Sequence, residues 1–380
     1  MDVEIRQNVG VRNPYALMAL KSSLKKGWWR AKSLEDAKKD FQKKFNKPFE
    51  KLFDPINDSP LYHGLPGVFG TAVQAHVGAK TDCTNLLSAW KRRDEWIYYN
   101  PTLDWFDPIQ GCVANCFLIS ALSSLAWVCP GLMPRVTGRD SNNVPFDQYK
   151  FYPSGGAQPT SVTVTEQLPV NANEELVYAT SYTQNEIWPS VYEKAYAKFW
   201  GCPVIDGDGD KPDISQMCSG NPLTALVNLT GLGAVAHLTQ EFNSGSDLFV
   251  ALSSLTEGSK CKFPMVGWTH PTAPDGSGIS FTSDQIVANH SYSILGTYID
   301  PATSKKCIVL RNPFGPNMGD PNVPGVLSGT WTYNLAYFRQ GGVRITIPVK
   351  RTLDLTLADG VFAFDSDEFI KYFEAFGYVT

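Results

Sequence analysis

The sequence predicts an α+β protein, with helices at about residues 116–128 and 186–199 and a strand-rich part from about residue 221 onward. Three observations carry this expectation. The run from Cys116 to about Val128 is apolar with a helical period, residues 186–199 repeat that period, and alternating segments dominate from Asn221 onward. The 380 residues can bury one large core or two medium ones, and 43% apolar with 18% charged residues is an ordinary globular composition. No stretch approaches the roughly 20 apolar residues of a membrane span. The start, Met1-Asp2-Val3-Glu4-Ile5, lacks the apolar core of an export signal, so a cytoplasmic location is expected. In such a compartment the eight cysteines read as mostly free thiols. None forms Cys-x-x-Cys, so neither a zinc knuckle nor a redox pair is indicated.

Residues 1–84 read as a basic extension and linker. Residues 1–51 carry a net charge of +7 and the remainder −11. Lys21 to Lys51 interleaves Trp28, Trp29, Phe41, Phe45 and Phe49 with lysines in a helical pattern. Such a face docks on its own domain, or it grips an acidic partner or an anionic membrane surface. The Gly/Ala/Val-rich stretch 64–80 reads as the linker. The helix from Cys116 is closed by Pro130 and Gly131, and residues 160–170 alternate as a strand. Pro189 suits the first turn of the second helix. Gly207-Asp208-Gly209-Asp210 reads as a plain turn, because it lacks the glutamate that ends a calcium loop. Short helices are expected near 221–229 and 366–376.

Cys116 is the chemically distinctive residue. It sits where a polar loop meets the first turn of a helix, and a helix N-terminus favours thiolate over thiol. Gln110, six residues upstream, offers an amide donor for a developing oxyanion. The same placement suits an inert buried cysteine, and the segment alone does not decide between them. The second half supplies partners. His290 opens the run Ser291 to Ile299, a turn follows at 300–304, and Lys306 to Arg311 forms a second strand before Asn312. A hairpin centred near Pro301 sets His290 opposite Asn312, so that an amide oxygen orients the imidazole. That is the orienter role in a Cys/His/Asn arrangement.

These residues resemble the catalytic core of calpain-type, papain-like cysteine proteases. That family has Gln-Gly-x-x-Gly-Asp-Cys-Trp, Gly-His-Ala-Tyr-Ser and Arg-Asn-Pro-Trp-Gly. The corresponding stretches here are Gln110 to Phe117, Asn289-His290-Ser291-Tyr292-Ser293 and Arg311-Asn312-Pro313-Phe314-Gly315. Trp90-Lys91-Arg92, the helix carrying Glu193-Lys194-Ala195-Tyr196-Ala197-Lys198, and Asp359-Gly360-Val361-Phe362 match in the same order. The resemblance covers about residue 85 to the C-terminus.

It implies a papain-like fold, with subdomain 1 over 85–220, a β-barrel-like subdomain 2 over 221–380, and the active site in the cleft between them. It implies Cys116 as nucleophile, His290 as acid/base, Asn312 as orienter, Gln110 as oxyanion donor and Phe314 as a shield over the His290–Asn312 contact. Asn115, Phe117, Asn289 and Phe314 depart from the family's Asp, Trp, Gly and Trp; Asn115 still suits a helix N-cap. The chemistry needs no cofactor. Calcium is implied as an activator at no more than one site, held by Asp107 and Glu193 with carbonyls of residues 100–102. At a second family site Asp359 matches, but Met318 and Val361 stand where the family has glutamates. The implied activity is limited proteolysis by a monomer acting on protein or peptide substrates, with no nucleic-acid partner. A non-cleaving binding or scaffold protein, and an acyltransferase on the same fold, are the alternatives.

Overall fold

The computed structural model describes residues 86–99, 103–133, 135–282, 286–315, 323–338, 344–355 and 360–380. The basic extension, the linker, residues 100–102, Met318 and Asp359 lie outside them. In chain order the described elements begin with β1 (Ala89–Lys91), β2 (Pro108–Ile109) and helix α1 (Cys116–Val128). Strands β3 (Val136–Arg139), β4 (Pro145–Phe151), β5 (Thr160–Val164), β6 (Leu168–Val170) and β7 (Thr180–Ser181) lead to α2 (Trp188–Trp200) and α3 (Pro222–Thr230). The later elements are β8 (Ala234–Leu238), α4 (Gly245–Ser254), β9 (Thr256–Glu257), β10 (Lys260–Cys261), β11 (Met265–Thr269), β12 (Ser291–Ile299) and β13 (Lys306–Arg311). Last come β14 (Val326–Leu327), β15 (Thr330–Phe338), β16 (Arg344–Asp354), β17 (Val361–Asp365), α5 (Ser366–Tyr372) and β18 (Phe373–Val379).

Helices and small sheets thus precede one large antiparallel sheet. Its order is β14-β17-β13-β12-β11-β18-β8, with β10 beside β12 and β9 beside β10. The end strands β14 and β8 do not meet, and β15–β16 forms a separate ribbon. The sheet is therefore open among the described residues, in contrast to the expected barrel-like closure.

Helix α1 is central. Every residue from Phe117 to Trp127 is buried, as befits a helix apolar on nearly all sides. One side joins Leu118, Leu122 and Leu125 to the core of α2 and α3, including Tyr196, Leu223 and Leu226. Each such leucine contributes about 1.5–3 kcal/mol by leaving water. The other side meets the sheet through serines. Ser120 Oγ lies 2.7 Å from Ser291 Oγ, and Ser293 Oγ donates to Ser120 O at 2.7 Å. Ser124 Oγ donates to Met265 O at 2.8 Å, and Met265 N–H donates back to Ser124 Oγ at 2.6 Å. Arg311 Nη1 donates to Ser123 Oγ at 2.8 Å. Three buried hydroxyls therefore fix α1 against β12, β11 and β13 in turn.

Several elements differ from expectation for identifiable reasons. The strand over 160–170 breaks at Thr165–Gln167, where Lys194 Nζ takes the carbonyls of Thr165 (3.0 Å) and Gln167 (2.9 Å) and the carboxylate of Asp210 (2.7 Å). The turn carrying Asp210 thus neutralises a buried ammonium. Helix α5 stops at Tyr372, and the residues expected to continue it form β18, which pairs with β11 and β8. Helix α4 stands within the stretch expected to be strand-rich; Ser244 caps it by accepting from Asp247 N–H at 3.2 Å. No helix among the described residues is long and apolar enough to cross a membrane. Cys116, Cys202, Cys218, Cys261 and Cys307 are free thiols, whereas Cys112 is disulfide-bonded.

Candidate active site

Cys116 opens α1 because the carbonyl of Asn115 accepts from the N–H groups of Leu118 (2.8 Å) and Ile119 (3.2 Å). The Asn115 side chain makes no cap bond. It turns instead to α2, where Asn115 Nδ2 donates to Glu193 Oε1 at 2.6 Å. The expected N-cap is thus replaced by a cross-link between helices. The main-chain N–H of Ser291, the residue after His290, is near enough to the Cys116 sulfur to favour its anion. Helix start and histidine are thereby brought together across the seam between α1 and β12.

Burial pushes the Cys116 thiol up to about 11, although the N–H groups of Ser291 and Phe117 favour the anion. A helix N-terminus alone would lower it. Burial of the sulfur outweighs those dipoles, although the residue as a whole is partly exposed, because a thiolate loses its water there. Burial thus keeps Cys116 as the thiol at neutral pH.

His290 is held at its main chain by β11. Its N–H donates to Thr269 Oγ1 at 3.0 Å and its carbonyl accepts from Thr269 N–H at 3.0 Å. The ring lies between Tyr292, edge-on at 5.0 Å, and Phe314, whose centroid is 4.5 Å away. His290 Nε2 is 3.0 Å from Asn312 Oδ1. The Phe314 N–H also donates to that Oδ1, at 3.0 Å, which identifies the atom as the amide oxygen. Nε2 is therefore the N–H of the neutral ring and Nδ1 carries the lone pair. Asn312 is fully buried, with Phe314 covering the contact.

The hairpin reaches this arrangement by a different register from the one expected. Ser293 pairs with Arg311 and Ile299 with Lys306, with an irregularity between Ile294 and Gly296. The centre falls on Ala302 for the Ser293–Arg311 pair and between Ala302 and Thr303 for the Ile299–Lys306 pair, beyond Pro301. Extending the Ser293–Arg311 register sets position 290 opposite 314, so Asn312 is the diagonal neighbour of His290. A shift of two residues keeps side chains on the same face, and diagonal neighbours remain within reach. The contact survives the change of register.

Gln110 sits on a loop tied to the asparagine side, its N–H donating to Pro313 O at 2.8 Å. Its Nε2 donates to Val113 O at 2.9 Å, leaving one amide hydrogen uncommitted by that bond. Gly111 presses against the main chain of Tyr178 so closely that any Cβ would overlap the Tyr178 carbonyl.

The family model for calpain family cysteine proteases matches residues 71–379. The chain belongs to the calpain family of cysteine proteases. It is 27% identical over 305 residues to a thiol protease of Porphyromonas gingivalis, covering 73% of this chain and 54% of that protein. Human calpain-12 is 31% identical over 214 residues, covering 55% of this chain and 27% of that one. Calpain clp-1 of Caenorhabditis elegans is 27% identical over 279 residues, 71% of this chain and 31% of its own. The chain spans about half, or less, of the length of these curated relatives.

The carboxylates expected to hold calcium in this calpain-family chain have other partners. Asp107 Oδ1 accepts from Thr183 Oγ1 at 2.8 Å, and Oδ2 accepts from Trp188 Nε1 at 3.0 Å and Asp104 N–H at 3.3 Å. Glu193 is also fully buried, its Oε1 bound by Asn115 and its Oε2 accepting from Ala179 N–H at 2.9 Å. Burial pushes Glu193 up to about 7, against those two donors. Calcium wants six to eight oxygens around it. No group of three His, Cys, Asp or Glu side chains fit to hold a metal stands among the described residues. The carboxylate oxygens of Asp107 and Glu193 are thus all taken by protein donors, and the carbonyls of residues 100–102 lie outside the described residues.

Sequence reasoning misses Ser291, Thr269 and the serines of α1. The spacing of Ser120, Ser123 and Ser124 in an otherwise apolar helix is a legible signal: three and four residues apart, they mark one face.

Proposed function

We propose that this calpain-family chain is a cysteine endopeptidase cleaving protein or peptide substrates through a thioester acyl-enzyme. The observation that carries this is the 3.0 Å contact of His290 Nε2 with Asn312 Oδ1, next to the Ser291 N–H that favours the anion of Cys116. In this reading His290 Nδ1 takes the thiol proton as sulfur attacks the scissile carbonyl. A base is needed, since the resting thiol stays protonated at neutral pH. The oxyanion of the tetrahedral intermediate is met by the second hydrogen of Gln110 Nε2. Collapse expels the amine, which leaves with the proton from His290. Water then attacks the thioester, giving up its proton to His290; the acid departs and the thiol is restored.

Asn312 contributes by holding Nε2–H, which keeps the lone pair on Nδ1. Phe314 keeps water from that hydrogen bond. The donors already bound to Asp107 and Glu193 leave calcium out of the proposal.

The test is cleavage of casein, an unstructured protein, by the purified chain and by Cys116→Ala, with calcium or a chelator and with or without an added amine. New casein fragments that vanish in the variant and carry water-derived carboxyl ends support an endopeptidase. Amine-capped products in place of acids point to acyl transfer. Binding of casein without any cleavage points to a scaffold, and turnover that survives Cys116→Ala sinks the assignment.

A further inference from the structure

We propose that Glu193 and Asn115 form a positioning pair that fixes the nucleophile relative to the oxyanion donor. The inference rests on the reading of Cys116 and Gln110 given above and assigns the pair a role which that reading does not contain.

The pair joins two segments that have no reason of their own to keep a fixed distance. Asn115 immediately precedes Cys116, and its side chain reaches α2 through the 2.6 Å bond to Glu193 Oε1. Through Oε2 the same carboxylate holds the Ala179 N–H at 2.9 Å. The Ala179 carbonyl accepts from Ser190 Oγ at 2.6 Å, so α2 grips this residue from both sides. The segment so gripped, just before β7, is the bed on which the Gln110 loop lies. Val177 O accepts from Cys112 N–H at 3.2 Å, and the Tyr178 carbonyl is the surface that Gly111 alone can approach. One carboxylate therefore governs both ends of the turn from Gln110 to Cys116: the near end through Asn115, the far end through Ala179.

The chemistry of the pair is directional. Asn115 must donate and Glu193 must accept, because Ala179 N–H already requires an acceptor at position 193. An aspartate at position 115 would set two carboxylates face to face at this separation, so that one would have to carry a proton. A buried carboxylate with both oxygens satisfied by neutral donors is a costly arrangement, which the fold keeps at the residue next to its nucleophile.

Exchange of the two roles tests the pairing. Asn115→Asp places acceptor against acceptor. Combining it with Glu193→Gln restores a donor facing an acceptor. In that double variant the introduced amide donates to the introduced carboxylate, while the amide oxygen still accepts from Ala179 N–H. The double variant also keeps the wild-type net charge. The measurements are kcat and KM for a peptide substrate, the rate of Cys116 alkylation by iodoacetamide, and the unfolding midpoint, with Cys116→Ala in parallel. Loss of a charge-assisted buried hydrogen bond predicts that Asn115→Asp lowers kcat about tenfold or more with KM little changed. The double variant is predicted to recover most of kcat and of the alkylation rate.

An Asn115→Asp protein with wild-type kcat overturns the proposal. So does a double variant that folds but stays as slow as the single one, since the added charge beside Cys116 would then be the whole effect. If Asn115→Asp fails to fold, the double variant decides alone: folded and active supports the pair, unfolded or inactive overturns it. Turnover that persists in Cys116→Ala is a separate result, which overturns the nucleophile reading.

Discussion

Replacing Asn312 by alanine removes one oxygen that two buried donors share. Asn312 Oδ1 accepts from His290 Nε2 and from Phe314 N–H, each at 3.0 Å. Leaving a buried donor without an acceptor costs about 1–3 kcal/mol. The share at Phe314 falls on stability, lowering the unfolding midpoint by several degrees. The share at His290 falls on catalysis, because the ring then turns or changes tautomer and Nδ1 no longer presents its lone pair to the thiol. At about 1.4 kcal/mol per decade, that share is roughly a 5- to 150-fold fall in kcat. His290→Ala removes the base itself and should cost about 10²- to 10⁴-fold. Asn312→Asp keeps an acceptor and should retain more activity than the alanine variant. The assay is steady-state cleavage of a fluorogenic peptide, with calorimetry on each protein. Wild-type kcat in Asn312→Ala, or a loss larger than that of His290→Ala, would refute the orienter role.

Other outcomes follow from the same geometry. Gly111→Ala should destabilise the protein by about 1–3 kcal/mol and cut turnover, since the clashing Tyr178 carbonyl is main chain and cannot swing aside; a neutral result in thermal unfolding contradicts the close packing. Alkylation of Cys116 should accelerate with pH toward about 11, as expected for an enclosed thiol. A rate already level below pH 7 would instead reveal a preformed thiolate–imidazolium pair. Glu193 is raised in the fold from 4.5 to about 7, so the folded state keeps a proton that the unfolded chain has released between those values. Stability should therefore fall by about 3 kcal/mol as pH rises from 4.5 to 7, and Glu193→Gln should flatten that slope; an unchanged slope assigns it to another group.

Much of this arrangement is legible in the amino-acid sequence, and the failures have physical causes. Periodicity locates α1 and α2, because both are long and their apolar residues face packed cores. The loop, histidine and asparagine stretches single out Cys116, His290 and Asn312, of which the last two lie in contact. Hairpin arithmetic finds the His290–Asn312 contact through a wrong register, because strand faces repeat every two residues. The end of α5 escapes it, since Phe373 to Val379 is apolar enough for helix or strand, and pairing with β11 and β8 decides. The contacts of Ser120 and Ser124 escape a linear reading, since their partners lie 171 and 141 residues away. The family resemblance offers Glu193 as a metal ligand, whereas its surroundings are the amide of Asn115 and the main chain of Ala179. A motif specifies the residue type; only packing specifies its partner.

The central claim is that one thiol of several is the nucleophile, and selective labelling tests it most directly. Cys116, Cys129 and Cys218 are partly exposed, while Cys202, Cys261 and Cys307 are buried. Treatment with a peptidyl vinyl sulfone, followed by mass mapping, should give a single thioether on Cys116 that largely disappears in His290→Ala. Labelling of Cys129 or Cys218 with Cys116 left unmodified, or equal labelling of Cys116 in the absence of His290, would contradict the account.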